Sequence, residues 1–258
     1  MSVASSPPAR SRGRAPNGAH PGEVLGRPLV KICGLTRAED VTLALRLGAW
    51  AIGFVFAPSP RQVSPTVARQ LALAASPDAS GAPWWRGPLA VGVFGDTTPG
   101  VVQATVDAVG LQAVQLHGTT PGAGAVRQAF AGREWRPLII QTVVVPADGN
   151  SRESVADAVA AARGHADLIL FDTGLHGRSG GTGRTFPWEV AREAAGEAPF
   201  LIAGGIAPHN VAEALRTSGA WGVDVSSGVE RAPGIKDGAR LRELFAAVAS
   251  CNEEGTTI

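Results

Sequence analysis

Phe200-Leu201-Ile202-Ala203-Gly204-Gly205-Ile206, a helical stretch over Asn210–Thr217, and then Trp221-Gly222-Val223-Asp224-Val225-Ser226-Ser227-Gly228 decide how this chain folds. Two short apolar runs bracket an eight-residue helical pattern. That order describes a strand, a crossover helix and a second, parallel strand. Working outward, the same unit recurs along the chain. Leu29–Cys33 precedes a helical pattern over Ala38–Leu47, Ala51–Phe56 precedes Pro65–Ala75, and Leu89–Phe94 precedes Gly100–Val109. Ala113–Leu116 leads to Ala123–Phe130, Pro137–Val143 to Ser154–Arg163, and Leu168–Asp172, after a long loop, to Trp188–Ala195. The last strand, Trp221–Ser226, leads to Gly238–Ala249. Eight βα units in roughly 230 residues predict a single α/β domain, a (β/α)8 TIM barrel. A doubly wound open sheet is the alternative. Closure is favoured because polar residues recur at alternate positions inside apolar strands: Lys31 with Cys33, Gln115 with His117, Asp224 with Ser226. Alternation puts each pair on one face, and the interior of a barrel near its mouth accepts such groups better than a helix-covered sheet.

Composition narrows the function classes. The chain has 258 residues, 45% hydrophobic and 17% charged, enough for a sizeable core. Lys+Arg 23 against Asp+Glu 22 leaves a net charge of +1, which gives no electrostatic case for nucleic acid or an anionic membrane as partner. No apolar run reaches the ~18 residues of a membrane span. Two cysteines, Cys33 and Cys251, make no disulfide framework and have no metal-ligand spacing, so no metal is expected. Residues 1–27 carry Arg10, Arg12, Arg14 and Arg27 against Glu23 alone and are rich in Pro, Gly and Ser. We read them as a disordered tail before a catalytic domain over 28–258. An organelle address is the alternative, and a cytoplasmic location is expected.

In βα folds the working groups gather at the carboxyl ends of the strands. Cys33 ends the first strand with Lys31 two residues earlier on the same face. It is either a small buried hydrophobe or a thiol whose nearby cation favours the thiolate. Asp172 closes the apolar run Leu168–Asp172. It either braces the next loop or, in apolar surroundings, keeps its proton and serves as a general acid. Asp224 is read as a structural partner of Lys31 or of a neighbouring polar group, and not as the acid. Gly204-Gly205 and Ser226-Ser227-Gly228 form two turns at strand ends, a phosphate cradle of backbone N–H groups and hydroxyls. Arg61, on the stiff loop Pro58-Ser59-Pro60-Arg61, is a solvated cation or a clamp for a carboxylate. His117 either contacts the ligand or satisfies a loop carbonyl, and the second is favoured. Gly180-Gly181-Thr182-Gly183-Arg184 lacks the Gly-Lys-Ser/Thr ending of a nucleotide loop, and the stretch 173–187 is read as a mobile loop over the site.

Beyond these readings, a series of motifs resembles phosphoribosylanthranilate isomerase. The series opens with Val30-Lys31-Ile32-Cys33-Gly34-Leu35-Thr36, Gly53-Phe54-Val55-Phe56 and Ser59-Pro60-Arg61. It continues through Val114-Gln115-Leu116-His117-Gly118, Phe171-Asp172, Gly180–Phe186, Ala203-Gly204-Gly205-Ile206 and Val223–Glu230. The resemblance runs in the family's order over residues 28–250. It implies a cofactor-free isomerase of tryptophan biosynthesis, acting on a small phosphosugar as a monomer or homodimer. The reaction implied is an Amadori rearrangement of N-(5-phosphoribosyl)anthranilate to 1-(2-carboxyphenylamino)-1-deoxyribulose 5-phosphate. It further implies Cys33 as general base, Asp172 as general acid and Arg61 as the holder of the anthranilate carboxylate. Gly204, Gly205, Ser226, Ser227 and Gly228 would bind phosphate. Residues 1–27 have no counterpart in the family's short form, and Arg178 takes no role by analogy. Two other readings stand beside this one. The related isomerase of histidine biosynthesis is similar to a two-aspartate arrangement, whereas here the first strand ends in Cys33. A barrel that only binds phosphorylated ligands is the non-enzymatic alternative.

Overall fold

The computed structural model describes residues 27–73, 88–118, 120, 122–150, 152–175, 178–179 and 185–253. Eight parallel strands form the barrel: β1 (Leu29–Ile32), β2 (Ala51–Val55), β3 (Leu89–Phe94), β4 (Ala113–Leu116), β5 (Leu138–Pro146), β6 (Leu168–Leu175), β7 (Phe200–Ile202) and β8 (Gly222–Val225). Each pairs with the next in sequence, and β8 returns to β1 through Leu29↔Gly222, Val30↔Val223, Lys31↔Asp224 and Ile32↔Val225. The sheet is therefore closed, which excludes the doubly wound alternative. Eight helices surround it among the described residues: α1 (Ala38–Arg46), α2 (Pro65–Ala72), α3 (Pro99–Val109), α4 (Ala123–Ala129), α5 (Arg152–Ala162), α6 (Glu189–Ala195), α7 (Val211–Ser218) and α8 (Gly238–Glu253).

Local chemistry sets several of these boundaries. Ser64 and Thr98 accept hydrogen bonds from Val67 and Val101 N–H, and each is followed by a proline at the first helical position. Both features satisfy or remove donors that a helix start leaves open. Asn210 precedes α7 differently: its side chain accepts from Ala207 N–H and donates to the Gly205 carbonyl, tying down the loop that carries Gly204 and Gly205.

Alternation along the strands makes two apolar layers. Val30, Ile32, Ile52, Phe54, Val223 and Val225 face outward into the sheet–helix layer. Leu29, Ala51, Leu89, Val91, Leu168, Leu170 and Leu201 fill the barrel interior. Above that plug the interior turns polar. Lys31 is wholly buried, and its ammonium lies 2.9 Å from both carboxylate oxygens of Asp224. The pairing expected between them is present. A buried charge left alone would cost several kcal/mol, roughly 3–5 when one partner is removed, so this pair holds β1 and β8 in register beneath the mouth.

The strands β5 and β6 run past their expected ends, pairing through Val144↔Asp172, Val145↔Thr173 and Pro146↔Gly174. Arg178–Ser179 then pairs back on β6 as a short antiparallel strand. The Gly180–Arg184 motif and residues 1–26 lie outside the described residues. None of the described helices is long and apolar enough to cross a membrane.

Candidate active site

One cavity of about 460 Å³ opens at the carboxyl ends of the strands. Its wall brings together Cys33, Arg61, Asp172, Gly204, Gly205, Ser226 and Ser227, from sequence positions far apart. Gly228 is not in that wall. A side chain there would collide with the Ile206 carbonyl, so this glycine lets the loop after β8 lie on the loop after β7. Gly228 thus has a packing reason to be glycine, beside the phosphate role that the resemblance implies for it.

The phosphate-like end of the cavity is built from backbone. Gly204 and Gly205 have φ of +79° and +69°, a region that side chains strongly disfavour. A Cβ on Gly204 would also run into Thr173. Directly after β8, Ser227–Val229 forms one turn of 3-10 helix, whose first N–H groups have no partner within the turn. Two strand-end turns thus converge with donors and without a lysine, an arrangement suited to an anion.

Cys33 lies on the same wall and is 8% exposed. Burial pushes its thiol above the ordinary value, Asp224 pushes the same way, and Lys31 and Lys236 oppose. The cation expected beside the thiol is there, but the expected result does not follow. Asp224 neutralises Lys31, and desolvation outweighs what remains. Gly53 of β2 makes room for this group, since a Cβ there would stand 2.9 Å from Cys33 Sγ and 3.1 Å from Lys31 Nζ.

Asp172 sits across β7 and β8 from Cys33, inward-facing on β6. Burial raises its carboxyl to about 6, partly opposed by His117, whose Nδ1 is 3.8 Å from Asp172 Oδ2. A carboxylic acid near 6 keeps much of its proton in weakly acidic solution and a fraction of about one-tenth at pH 7, and it can return to carboxylate after giving the proton up. His117 therefore stands beside the carboxyl group in the cavity wall.

Arg61 is not a solvated loop cation. Its Nε donates to Glu230 Oε1 at 2.9 Å and its Nη2 to Glu230 Oε2 at 2.6 Å, a two-pronged pair that fixes the plane of the guanidinium. Among the described residues no side chain or carbonyl takes its Nη1 donors. Glu230 in turn accepts from Lys236 Nζ at 2.9 Å and from Gly234 N–H at 3.2 Å. Sequence reasoning gave no role to Glu230 or Lys236. Pro233-Gly234 between them is a turn signal, and the two residues prove to be opposite each other in a short hairpin, Glu230–Ala232 with Ile235–Lys236. Gln115, from β4, also lines the cavity, and its Oε1 is buried with no partner among the described residues.

A sequence profile described as N-(5'-phosphoribosyl)anthranilate isomerase matches residues 30–247. The chain belongs to the phosphoribosylanthranilate isomerase family. An N-(5'-phosphoribosyl)anthranilate isomerase from Xanthomonas campestris is 38% identical over 234 residues, covering 89% of this chain and 97% of the relative. The crystal structure of phosphoribosylanthranilate isomerase from Thermotoga maritima superposes with a TM-score of 0.72 at 31% identity, over 86% of this chain and 99% of that one. Another solved phosphoribosylanthranilate isomerase is described in complex with reduced 1-(o-carboxyphenylamino)-1-deoxyribulose 5-phosphate. It has a TM-score of 0.70 at 31% identity, over 86% of this chain and 99% of that one. The activity is that of a phosphoribosylanthranilate isomerase, a sugar isomerase of tryptophan biosynthesis. Its TIM-barrel fold is shared with these structures.

Proposed function

We propose that Asp172 and Cys33 carry out the isomerisation as general acid and general base. The observation that supports this is their convergence on one cavity wall, a carboxyl raised to about 6 and a thiol from opposite sides of β7 and β8. Asp172 protonates the furanose ring oxygen. The C1′–O bond breaks as the nitrogen lone pair forms a C=N bond, leaving an open-chain iminium ion. The Cys33 thiolate then removes the C2′ proton, which the iminium has acidified, and the electrons fall back toward nitrogen as an enolamine. Proton return to C1′ and loss of the enol proton give the ketone. Every step is a proton transfer between positioned groups and substrate.

Burial raises the thiol, so the charge made in the first step matters for the second. An iminium cation beside Cys33 favours the thiolate where it is needed. Gly204, Gly205, Ser226 and Ser227 hold the phosphate through N–H groups and hydroxyls, and Arg61 meets the anthranilate carboxylate with the donors that Glu230 leaves open. The phosphorylated substrate cannot diffuse across a membrane, which favours the cytoplasm, where biosynthetic intermediates are made and used.

The deciding experiment gives the purified protein freshly made phosphoribosylanthranilate and, in parallel, the corresponding aldose substrate of histidine biosynthesis. Enzyme-dependent decay of anthranilate fluorescence with the first, and no turnover of the second, is the expected result. Binding without decay would leave only the non-enzymatic barrel. Arg61→Ala is expected to raise KM on the order of tenfold or more with a smaller change in kcat, as removal of a charge-assisted contact does. An unchanged KM would take Arg61 out of substrate binding.

A further inference from the structure

The hairpin after β8 carries a charged group that the reaction as described does not use. Lys236 is almost completely buried, and its Nζ lies 2.6 Å from the Cys33 carbonyl, 3.1 Å from the Ser226 carbonyl and 2.9 Å from Glu230 Oε1. Three acceptors converge on three ammonium protons, so the geometry is that of a charged, fully satisfied lysine. Its backbone N–H donates to Asp40 Oδ2 at 3.0 Å, which ties the hairpin to α1 as well. Thr36 Oγ1 donates to the Gly234 carbonyl at 2.6 Å, fixing the turn of the same hairpin to the segment after Cys33. The three acceptors belong to three working parts of the cavity. Cys33 is the base, Ser226 begins the phosphate turn, and Glu230 orients Arg61.

We propose that Lys236 is a positioning residue of the isomerase, one buried ammonium that sets the base-bearing end of β1, the phosphate turn after β8 and the Glu230–Arg61 pair at fixed distances from one another. This rests on the roles proposed above for Cys33, Ser226 and Arg61. A substrate that reaches from a phosphate to an aromatic carboxylate needs both end anchors held in register with the base between them. Backbone pairing fixes β1 against β8 and ties the Arg61 loop to the end of β2 through Val55↔Gln62, but it does not set where the Arg61 side chain points. The ammonium does that through Glu230. Its charge also acts on the thiol. The groups that face Cys33 are Lys31 on its own strand, Asp224 from β8, Arg61 from the loop after β2, Asp172 across the cavity and Lys236 from the hairpin. Lys31 is matched by Asp224 and Arg61 by Glu230, and Lys236 shares that same Glu230. Arg61 and Lys236 thereby share one carboxylate, so this triad carries one positive charge in excess, which removal of Lys236 would cancel.

The test reads Cys33 directly and does not depend on turnover. In a Cys251→Ala background, Cys33 is the only cysteine, and its alkylation by iodoacetamide is followed against pH. Lys236→Met is expected to move the alkylation midpoint to higher pH, slowing the reaction at pH 8 about tenfold. Lys236→Arg keeps the charge but cannot place three donors from one atom. Its midpoint is expected to stay at the wild-type value while kcat/KM falls on the order of tenfold. An unmoved midpoint in Lys236→Met, or wild-type kcat/KM in Lys236→Arg, overturns the proposal. Should Lys236→Met fail to fold, the Lys236→Arg kinetics decide alone. If Cys33→Ala keeps its activity while Lys236→Met still raises the alkylation midpoint, the acid–base reading fails and the local arrangement stands, so the two are told apart.

Discussion

Cys33→Ala lowers kcat about 10³-fold while a phosphorylated product analogue still binds within about twofold of wild type. The size follows from what a positioned base contributes, typically 10²–10⁴ in rate. The selectivity follows from the geometry. The anion turns and Arg61 hold the ligand from other strands and loops, so the thiol sits among the binding groups without being one of them. Alanine is smaller than cysteine and the site is already shaped around Gly53, so the substitution strains nothing. Steady-state kinetics paired with analogue titration separate the two effects. A kcat within tenfold of wild type sinks the assignment of Cys33 as base.

Asp172→Asn is the second large effect, and it leaves a signature in pH as well as in rate. Asparagine matches the shape of the carboxyl group but cannot release the acid's proton, so kcat falls about 10²–10⁴-fold. In the wild-type enzyme the acid titrates at about 6 and the thiol above its ordinary value. The reactive form holds a protonated Asp172 together with an ionised Cys33, the reverse of what those values favour. Its population is level between them. Below about pH 6, Asp172 is already protonated and further acid only removes thiolate, so kcat/KM falls. Above the thiol value, Cys33 is already ionised and further base only removes the acid, so kcat/KM falls again. With Asp172→Asn the bend near pH 6 and the fall above the thiol value both disappear, and the residual rate climbs with thiolate across the former plateau. A plateau that survives the substitution means that another group supplies the proton.

Much of this arrangement is legible from residues alone. The alternation of Lys31 with Cys33 and of Asp224 with Ser226 puts a polar floor and a rim into one barrel interior, and the floor pair forms as expected. Strand ends are less legible. The strands expected to end at Val143 and Asp172 pair on as far as Pro146 and Gly174, because each supplies the other with hydrogen-bond partners. Long-range pairing of charges is the least legible feature. Arg61 and Glu230 are 169 residues apart, and nothing local to Pro58–Arg61 marks the arginine as tethered. The thiol's setting differs in sign from its expectation for a related reason. Spacing shows the cation at Lys31, but only the folded barrel shows that Asp224 cancels it and that burial prevails.

The closing seam has a consequence for how the enzyme comes into being. Its first strand is sealed by its last, and the contacts across that join, Lys31 with Asp224 and Lys236 with the Cys33 carbonyl, link the opening of the chain to its final stretch. A ribosome that has released the first two-thirds of the polypeptide has already made Cys33 and Asp172, the proposed base and acid. Neither is yet held opposite the other, and the phosphate has no seat. Catalytic competence therefore arrives as a late event of synthesis, when the concluding segment docks and locks the ring.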